Sequence, residues 1–576
     1  MKLRNVISLL IVFAMLFILV AACADDNGGN ETVTNENGTA TQDTGTDGGA
    51  DTNDNGGGIA DTATGQPWND LDYFADPVAW IQSQRFDETV TVTSVRSELA
   101  GWSYPDGQDI FDNGYTRFMY EHLNIRIEYD WVVDTSQYDT RLSLALASGE
   151  IPDFFYADSA TFAMLVEDGI IADLSDYFAV YASPRVREIT EFFPEGFDSA
   201  RDNDGRLMAI PQMGFGVMSQ ANSLLWIRND WLEASGRNAP STIDEMIDLA
   251  NVFKDEFGAS YGLAVDNSLF GGVNNLLGIF NAYHAYPTIW VERGGEIVFG
   301  GIQPEVRTAL ERLQQMYADG FLSAEFAVSD TGRVNEDILN GEVGMMFGAN
   351  WSGWWPLGDS LHLDENAIWI PHPVPNSDDT PVSMQTHWPV TYYLVVNRNS
   401  ENADAVIRML NAFQVLRDDF FLFPEDWRDQ MMDSWQMSPV WFEDPSDDYI
   451  AFRALSEAVV TRDTSNVPPA MMFNYYNMLQ WADERLPDGF GRYVQMMHSY
   501  RVLSEYLLND RILMSAMRGP QPPGLAASWP SLETFQEEAF VRIIMGDPIE
   551  AFDDFVASWL AMGGEAGTRE VNELYN

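Results

Sequence analysis

TVTVTSV at residues 89–95 and PDFFY at residues 152–156 bound the stretch of sequence that decides the predicted fold. The first segment is rich in β-branched residues and predicts a strand, and the second predicts a buried strand after the helix-ending Gly149. Between them, hydrophobic periodicity predicts a helix, a strand and a helix, at residues 115–122, 125–132 and 138–147. This β-α-β-α-β order predicts a parallel sheet flanked by helices, and therefore an α/β fold.

The rest of the chain also mixes strands and helices. Strands are predicted at residues 224–227, 343–347 and 391–397, and helices at residues 242–257, 303–318 and 403–416, after which helices dominate. About 510 residues follow residue 66, whereas single hydrophobic cores stop growing at about 250–300 residues. The length therefore predicts a fold that is divided into lobes.

The N-terminus has the features of an export signal. Two basic residues precede an apolar run over residues 6–22, which ends in small residues. The string Val20-Ala21-Ala22-Cys23 resembles the bacterial lipobox, in which the peptide is cut before a cysteine that is then acylated. Cys23 is the single cysteine of the chain, so it forms no internal disulfide. We interpret residues 1–22 as a lipoprotein signal peptide and Cys23 as the lipidated residue. The alternative is an uncleaved N-terminal membrane helix.

Residues 23–66 have the composition of a tether. After the cysteine they consist largely of Gly, Asn, Thr and Asp, and they contain no basic residue. Such a segment buries too little apolar surface to offset the entropy lost on ordering, so it is predicted to be disordered. Either interpretation of the N-terminus places the folded part, residues 67–576, on the extracellular face of the cell membrane.

The charge of the chain limits its partners. The sequence has 31 basic and 88 acidic side chains, and its formal net charge is −57 at pH 7. A polyanion of this size repels phosphate backbones, which argues against nucleic acid as a partner. The same repulsion disfavours a strongly anionic ligand such as a polyuronate, unless a local cluster of arginines outweighs the average.

A series of short motifs carries a family resemblance. In chain order they are SGEIPD (148–153), DGIIADL (168–174), GRLMAIP (205–211), LWIRNDWL (225–232), PSTIDE (240–245), NGEVGMM (340–346), and the C-terminal Phe552-Asp553, Trp559 and REVN (569–572). Their succession resembles extracellular solute-binding proteins of the oligosaccharide type. The resemblance implies a type II periplasmic-binding-protein-like fold, in which two discontinuous lobes joined by hinge strands close on a ligand. It also implies delivery of that ligand to the membrane permease subunits of an ABC importer.

The predicted ligand contacts are mainly aromatic. Sugar recognition needs aromatic faces for C–H groups and polar groups for hydroxyls, and NWSGWWP at residues 350–356 offers three indoles on a predicted loop. The candidate ligand-binding residues are Asn350, Trp351, Trp354, Trp355, Trp388, Trp102, Tyr104, Asp158, Gln212 and Trp226. Core packing is expected to use at least one of Trp354 and Trp355. Asp158 has the alternative role of capping the next helix, and the role of Trp226 stays open.

We find no catalytic constellation in the sequence. The six histidines have no metal-binding spacing, and a Gly-x-x-x-x-Gly-Lys motif is absent. The acidic turn at residues 202–205 lacks two carboxylates that a calcium loop requires, and is interpreted as a polar turn. We therefore predict a protein without catalytic residues, metal or cofactor. The alternatives are a cell-surface carbohydrate-active enzyme, a sensor or adhesion lipoprotein outside transport, and a peptide ligand in place of a sugar.

Overall fold

A computed structural model describes residues 67–99, 104–214, 221, 223–419, 422–423 and 434–575. The signal peptide at residues 1–22, the predicted lipidation site Cys23 and the tether that follows it lie outside the described residues, as does Trp102. Within those described ranges, no helix is both long enough and apolar enough to cross a bilayer.

The strands form sheets of two or three members, β1–β2, β3–β11–β4, β8–β5–β9, β6–β7 and β10–β12. Their bounds are β1 (Val90–Glu98), β2 (Ile125–Asp134), β3 (Phe154–Asp158), β4 (Ile210–Gln212), β5 (Leu224–Arg228), β6 (Trp290–Arg293), β7 (Glu296–Phe299), β8 (Met345–Gly348), β9 (Trp369–His372), β10 (Met384–Thr386), β11 (Tyr392–Val396) and β12 (Ile512–Met514).

Helices cover these sheets and make up most of the C-terminal part. They are α1 (Pro77–Ser83), α2 (Gly114–Leu123), α3 (Tyr138–Ser148), α4 (Ser159–Glu167), α5 (Ser175–Tyr181), α6 (Pro184–Phe192), α7 (Pro194–Asp198), α8 (Asn229–Ser235), α9 (Ile243–Phe257), α10 (Leu277–Ala282), α11 (Pro304–Ala318), α12 (Thr331–Leu339), α13 (Leu357–Leu363), α14 (Ala403–Asp418), α15 (Ser434–Met437), α16 (Asp447–Thr461), α17 (Met472–Glu484), α18 (Phe490–Val494), α19 (Tyr500–Leu508), α20 (Pro523–Ile544), α21 (Ala551–Trp559) and α22 (Glu565–Tyr575). Two π-helical turns, Gln495–Ser499 and Leu560–Gly564, lie between α18 and α19 and between α21 and α22.

The buried apolar side chains form two cores, which define two lobes. The core of the first lobe takes residues from 68–213 and 388–442, and that of the second lobe takes residues from 221–384 and 451–571. The chain therefore passes between the cores near residues 213–221, 384–388 and 442–451. Near the second of these crossings, β10 pairs in parallel with β12, and Met514 of β12 packs against the first core.

The first lobe is organised around β11, which lies antiparallel between β3 and β4. Its residues Tyr393–Val396 are completely buried, because α14 and the helices near β3 cover the sheet. A strand that is covered on both faces has a continuous run of apolar residues, and for that reason the strand at residues 391–397 was predictable from the sequence.

The second lobe is organised around β5, which is antiparallel to both β8 and β9. The predicted helix at residues 242–257 is confirmed as α9. Thr242 Oγ1 accepts a hydrogen bond from the Glu245 backbone N–H at 3.2 Å and so caps the first turn. The residues of α9 buried in this core recur at helical spacing, at 243, 246, 249, 250 and 253.

The prediction of one parallel sheet from residues 89 to 156 is only partly right. β1 and β2 pair in parallel, but β3 pairs with β11, some 240 residues away, in antiparallel register. Side chains join β1 to β3 instead: Asp153 accepts from Thr93 N–H at 2.8 Å and from Thr93 Oγ1 at 3.0 Å. The strand begins two residues later than predicted, because proline at 152 has no N–H to donate and Asp153 makes these contacts.

Candidate functional site

Residues 349–356, which we call the Trp loop, follow directly from the buried strand β8. The loop turns sharply, and a Cβ on Gly348 would lie 2.6 Å from Ser352 Oγ. Trp351, Trp354 and Trp355 are 37%, 39% and 45% exposed, whereas Asn350 is buried. The loop therefore presents three indoles to solvent above a buried polar residue.

The exposed Trp354 is held by polar groups from the far end of the chain. Its Nε1–H donates to Gln495 Oε1 at 3.2 Å, and the guanidinium of Arg492 lies 4.8 Å from the centre of its ring. Arg492 Nη1 donates to the same Gln495 oxygen at 2.8 Å. Gln495 Nε2 in turn donates to Asn350 Oδ1 at 2.7 Å. One amide side chain thus fixes both ends of the loop segment from 350 to 354.

Two glycines allow the Trp loop to pack closely on α18. A Cβ on Gly491 would lie 2.7 Å from the indole of Trp354, so the indole packs directly against the backbone of α18 at this glycine. A side chain on Gly353 would collide with Val494. We expected core packing to use at least one of Trp354 and Trp355. Trp354 packs against α18 in this way, although part of its side chain stays exposed.

Trp226 supports this loop from below. It is completely buried in β5, and its indole N–H donates to the carbonyl oxygen of Ala349 at 3.1 Å. A ligand cannot reach a fully enclosed indole, so the structure gives Trp226 a supporting position and no place among the ligand contacts.

On the first lobe, Asp158, Gln212 and Tyr392 lie side by side at one edge of the sheet. Tyr392 of β11 pairs with Asp158 of β3 and with Gln212 of β4. Asp158 Oδ1 accepts from the Thr161 N–H at 2.7 Å, which is the helix-capping role considered from sequence. Gln212 is buried, and Tyr392 is 39% exposed. The exposed aromatic at this edge is therefore Tyr392, which sequence reasoning missed.

Trp441 is a second aromatic that sequence reasoning missed. Its ring stacks on Tyr156 with centroids 3.7 Å apart and planes 22° apart, and Arg96 lies 5.0 Å from its ring centre. Its backbone N–H donates to Tyr156 Oη at 2.8 Å, and its carbonyl oxygen accepts from Gln212 Nε2. Burial raises the pKa of Tyr156 far above its usual range, so the hydroxyl stays protonated. This group borders the third crossing between the lobes.

The other predicted residues that the structure describes, Trp388 and Tyr104, belong to the first lobe. Trp388 is buried near the second crossing, with its ring 5.3 Å from that of Phe193. Tyr104 is half-buried in the first lobe, and its pKa is raised by burial and by a hydrogen bond with Glu98. Trp102 lies outside the described residues. The structure thus brings together Asn350, Trp351, Trp354 and Trp355 on one lobe, and Asp158 with Gln212 on the other.

The described residues contain no group of three His, Cys, Asp or Glu side chains placed to hold a metal ion. The acidic segment at 202–205 is a turn, as predicted: Asp202 Oδ1 accepts from the N–H groups of Asp204 and Arg206 at 3.0 and 2.9 Å. The arrangement at the Trp loop suits binding, since it offers aromatic faces beside a fixed amide.

Comparison with known proteins gives consistent matches. A family model for bacterial extracellular solute-binding protein matches residues 101–416. Polygalacturonan/rhamnogalacturonan-binding protein YtcQ of Bacillus subtilis (strain 168) is 24% identical over 234 residues, 39% of this chain and 44% of YtcQ. Lipoprotein LipO of the same organism is 23% identical over 228 residues, 38% of this chain and 43% of LipO. The match thus spans less than half the length of these curated relatives.

A solved structure is similar over most of the chain. The ABC-transporter substrate binding protein FusA of Streptococcus pneumoniae, in complex with kestose, has a TM-score of 0.58. It is 14% identical in sequence, and the alignment covers 84% of this chain and 99% of that one. The similarity establishes the fold, and the predicted two-lobed, type II periplasmic-binding-protein-like architecture is confirmed.

Proposed function

Because the chain belongs to the family of bacterial extracellular solute-binding proteins, we propose that it captures an oligosaccharide or a related polar solute between its lobes. The observation that carries this proposal is the Trp loop. Three half-exposed indoles on one short loop form an unusual apolar surface, and exposed apolar patches mark interaction sites. Aromatic faces with a few fixed polar groups are the usual lining of small-molecule sites.

The charge of the chain favours a neutral ligand. YtcQ is named for binding polygalacturonan and rhamnogalacturonan, whereas FusA was solved with kestose. The net charge of −57 opposes the approach of a polyanion. Arg492 already lies over the indole of Trp354 and bonds Gln495. A neutral oligosaccharide therefore fits this protein better than a uronate polymer.

We further propose that the protein is anchored on the extracellular face of the cell membrane through lipid on Cys23, and that it delivers its ligand to ABC permease subunits. The lipobox-like string at residues 20–23 and the match to a lipoprotein support the anchor, and FusA is itself named as part of an ABC transporter. Two or more acyl chains, at about 0.8 kcal/mol for each buried CH₂, hold a protein stably at a membrane.

Replacing Cys23 with alanine is expected to abolish labelling by radioactive palmitate and to leave residues 1–22 attached, because both acylation and cleavage require the cysteine. Palmitate labelling and mass spectrometry of the mature N-terminus of either form measure this directly. An unaltered protein that takes up no palmitate and keeps residues 1–22 would support the uncleaved helix instead.

Binding is tested by mixing the purified protein with neutral fructo-, malto- and xylo-oligosaccharides, oligogalacturonides and peptides. A ligand at a hundredfold excess over its Kd adds about 2.7 kcal/mol of stability, which raises the melting temperature by a few degrees. We expect a neutral oligosaccharide to give this shift and to be recovered intact. We expect Trp351→Ala to weaken binding by about 10- to 100-fold, since aromatic contacts of this kind contribute about 1–3 kcal/mol.

A matched control is Trp529→Ala, which removes a partly buried tryptophan of the second core near Trp290 and Phe299. It is expected to lower stability without changing the Kd. Recovery of cleaved oligosaccharide would replace the transport proposal with an enzymatic one, and a shift with peptides alone would change the ligand class.

A further inference from the structure

The backbone of the Trp loop is held in shape by hydrogen bonds near its own turn. The Ser352 N–H donates to the Ala349 carbonyl oxygen at 3.1 Å, and the Trp354 N–H donates to that of Trp351 at 2.9 Å. The Ala349 N–H donates to the carbonyl oxygen of Gly272 at 2.9 Å, which ties the start of the loop to the second lobe. These bonds shape the turn, but none of them joins the loop to the helices of the C-terminal part.

Gln495 makes that connection. Its side-chain amide bonds Asn350, Trp354 and Arg492, and we call these three hydrogen bonds the Gln495 bridge. Its oxygen accepts from the Trp354 indole N–H and from Arg492 Nη1, which uses both lone pairs. The orientation of the amide is therefore fixed, because exchanging its oxygen and nitrogen would set its N–H groups against those two donors.

The Gln495 bridge acts on the loop and not on a ligand. Gln495 is 7% exposed, and its amide oxygen has no lone pair left for a ligand hydroxyl. Its backbone belongs to the π-helical turn Gln495–Ser499, in which Met496 and Ser499 are also buried. Turns of this kind are rare and are frequent at functional sites. A buried turn thus positions the amide, and the amide positions the loop.

Trp351 lies inside the bridged segment, between Asn350 and Trp354. A Cβ on Gly272 would lie 2.9 Å from its indole, so the ring packs closely against the chain at this glycine. The indole is nevertheless 37% exposed, and is available to a ligand. Ordering side chains during binding reduces affinity, so a loop that is already ordered binds more tightly than one that is not.

We infer that Gln495 is a positioning residue of the proposed ligand site, which holds the Trp loop in its binding arrangement before a ligand arrives. The inference rests on the proposed function at the Trp loop and deepens it, because it assigns part of the affinity to a residue that touches no ligand. The hydrogen bonds of the turn remain when the Gln495 bridge is removed. The loop therefore stays folded without the bridge, but Trp351 loses its fixed position.

The first measurement replaces Gln495 with methionine, which has a similar length but no amide. Calorimetric titration of the full-length protein in detergent with kestose, maltotriose and xylotriose gives the Kd. We expect at least one of these sugars to bind the unaltered protein, and Gln495→Met to bind it about tenfold more weakly. The matched control is Gln536→Met, which replaces a buried glutamine on α20 that donates to the Pro287 carbonyl oxygen at 2.9 Å. It should lower the melting temperature without changing the Kd.

The second measurement needs no ligand. In protein labelled with fluorotryptophan, the fluorine NMR line of Trp351 is identified by its loss in Trp351→Phe. We expect one narrow line in the unaltered protein and in Gln536→Met, and a broadened or displaced line in Gln495→Met. Gln495→Glu keeps an oxygen that accepts from Trp354 and Arg492, so it should restore the narrow line and bind more tightly than Gln495→Met.

Two outcomes would overturn the inference while leaving the proposed function in place. These are an unaltered Kd in folded Gln495→Met, and an unaltered Trp351 line in that variant. Failure of all three sugars to bind the unaltered protein would instead count against the proposed function and would overturn the inference with it. Circular dichroism reports whether each variant is folded. If Gln495→Met does not fold, Asn350→Ala, which removes a buried partner of the bridge, replaces it with the same expected losses.

Discussion

Replacing Trp226 with alanine is expected to lower the free energy of unfolding by about 3–5 kcal/mol, the range for a large aromatic removed from a core. The side chain is completely buried at the centre of the β8–β5–β9 sheet. Its removal leaves a cavity and also deprives the Ala349 carbonyl of its 3.1 Å hydrogen bond. Chemical denaturation of the purified protein, followed by circular dichroism, measures the loss.

Two further variants distinguish the parts of this effect. Trp226→Phe keeps most of the apolar volume but removes the indole N–H, so we expect a smaller loss of about 1–2 kcal/mol. Trp351→Ala removes a 37% exposed side chain and should cost less than about 1 kcal/mol while it weakens ligand binding. A Trp351→Ala protein less stable than Trp226→Ala would contradict our assignment of one indole to support and the other to the ligand.

This contrast shows what the sequence was able to predict about the site. Trp226 lies in a short apolar strand and Trp351 follows one. Nothing in the neighbouring sequence distinguishes the buried indole from the exposed one. The Trp loop itself was predictable, because three tryptophans with glycine and proline rarely occur within seven residues of a core element. Gln495 and Trp441 were not predictable, because they reach the site from 145 and 229 residues away in sequence from Asn350 and Gln212, respectively.

For the fold as well, the features set by neighbouring residues were predicted correctly and a pairing between distant segments was not. Helices such as α9 and α11 were predicted to within one residue at each end, because helical spacing and capping are local properties. The pairing of β3 was predicted wrongly, because its partner β11 lies far along the chain. Local order favoured a parallel neighbour, whereas burial of the continuous apolar run of β11 determined the actual partner.

The pH dependence of stability is the second large effect that we expect, and it arises at the third crossing between the lobes. Glu443, Asp444, Asp447 and Asp448 lie there within six residues. Arg185 bonds Asp444 at 2.7 Å, and Arg417 bonds Glu443 at 2.9 Å. Asp447 also lies 3.8 Å from Arg185 and 4.0 Å from Arg417, and Arg492 acts on Asp448, but burial outweighs these attractions for both acids. It raises the pKa of Asp447 to about 7 and that of Asp448 to about 6.

A carboxyl group whose pKa is higher in the folded than in the unfolded state stabilises the protein most when it is protonated. For Asp447, with an unfolded pKa of 3.8, this contribution is full below pH 3.8. It declines as the pH rises and is gone above the folded pKa of about 7. Asp448 acts in the same direction up to about pH 6.

We therefore expect the free energy of unfolding to fall by about 2–3 kcal/mol between pH 5 and pH 8 on account of Asp447, at about 1.4 kcal/mol for each pH unit below its folded pKa. Urea denaturation at half-unit intervals measures the slope. Asp447→Asn removes one titrating group and should reduce the slope, most clearly between pH 6 and pH 7, above the folded pKa of Asp448. Asp553→Asn, which replaces an exposed acid on α21, should leave the slope unchanged. Equal slopes in the unaltered protein and in Asp447→Asn would mean that a group other than Asp447 causes the pH dependence. The segment that carries Asp447 joins the two cores, so a change in its protonation acts on a connection between the lobes.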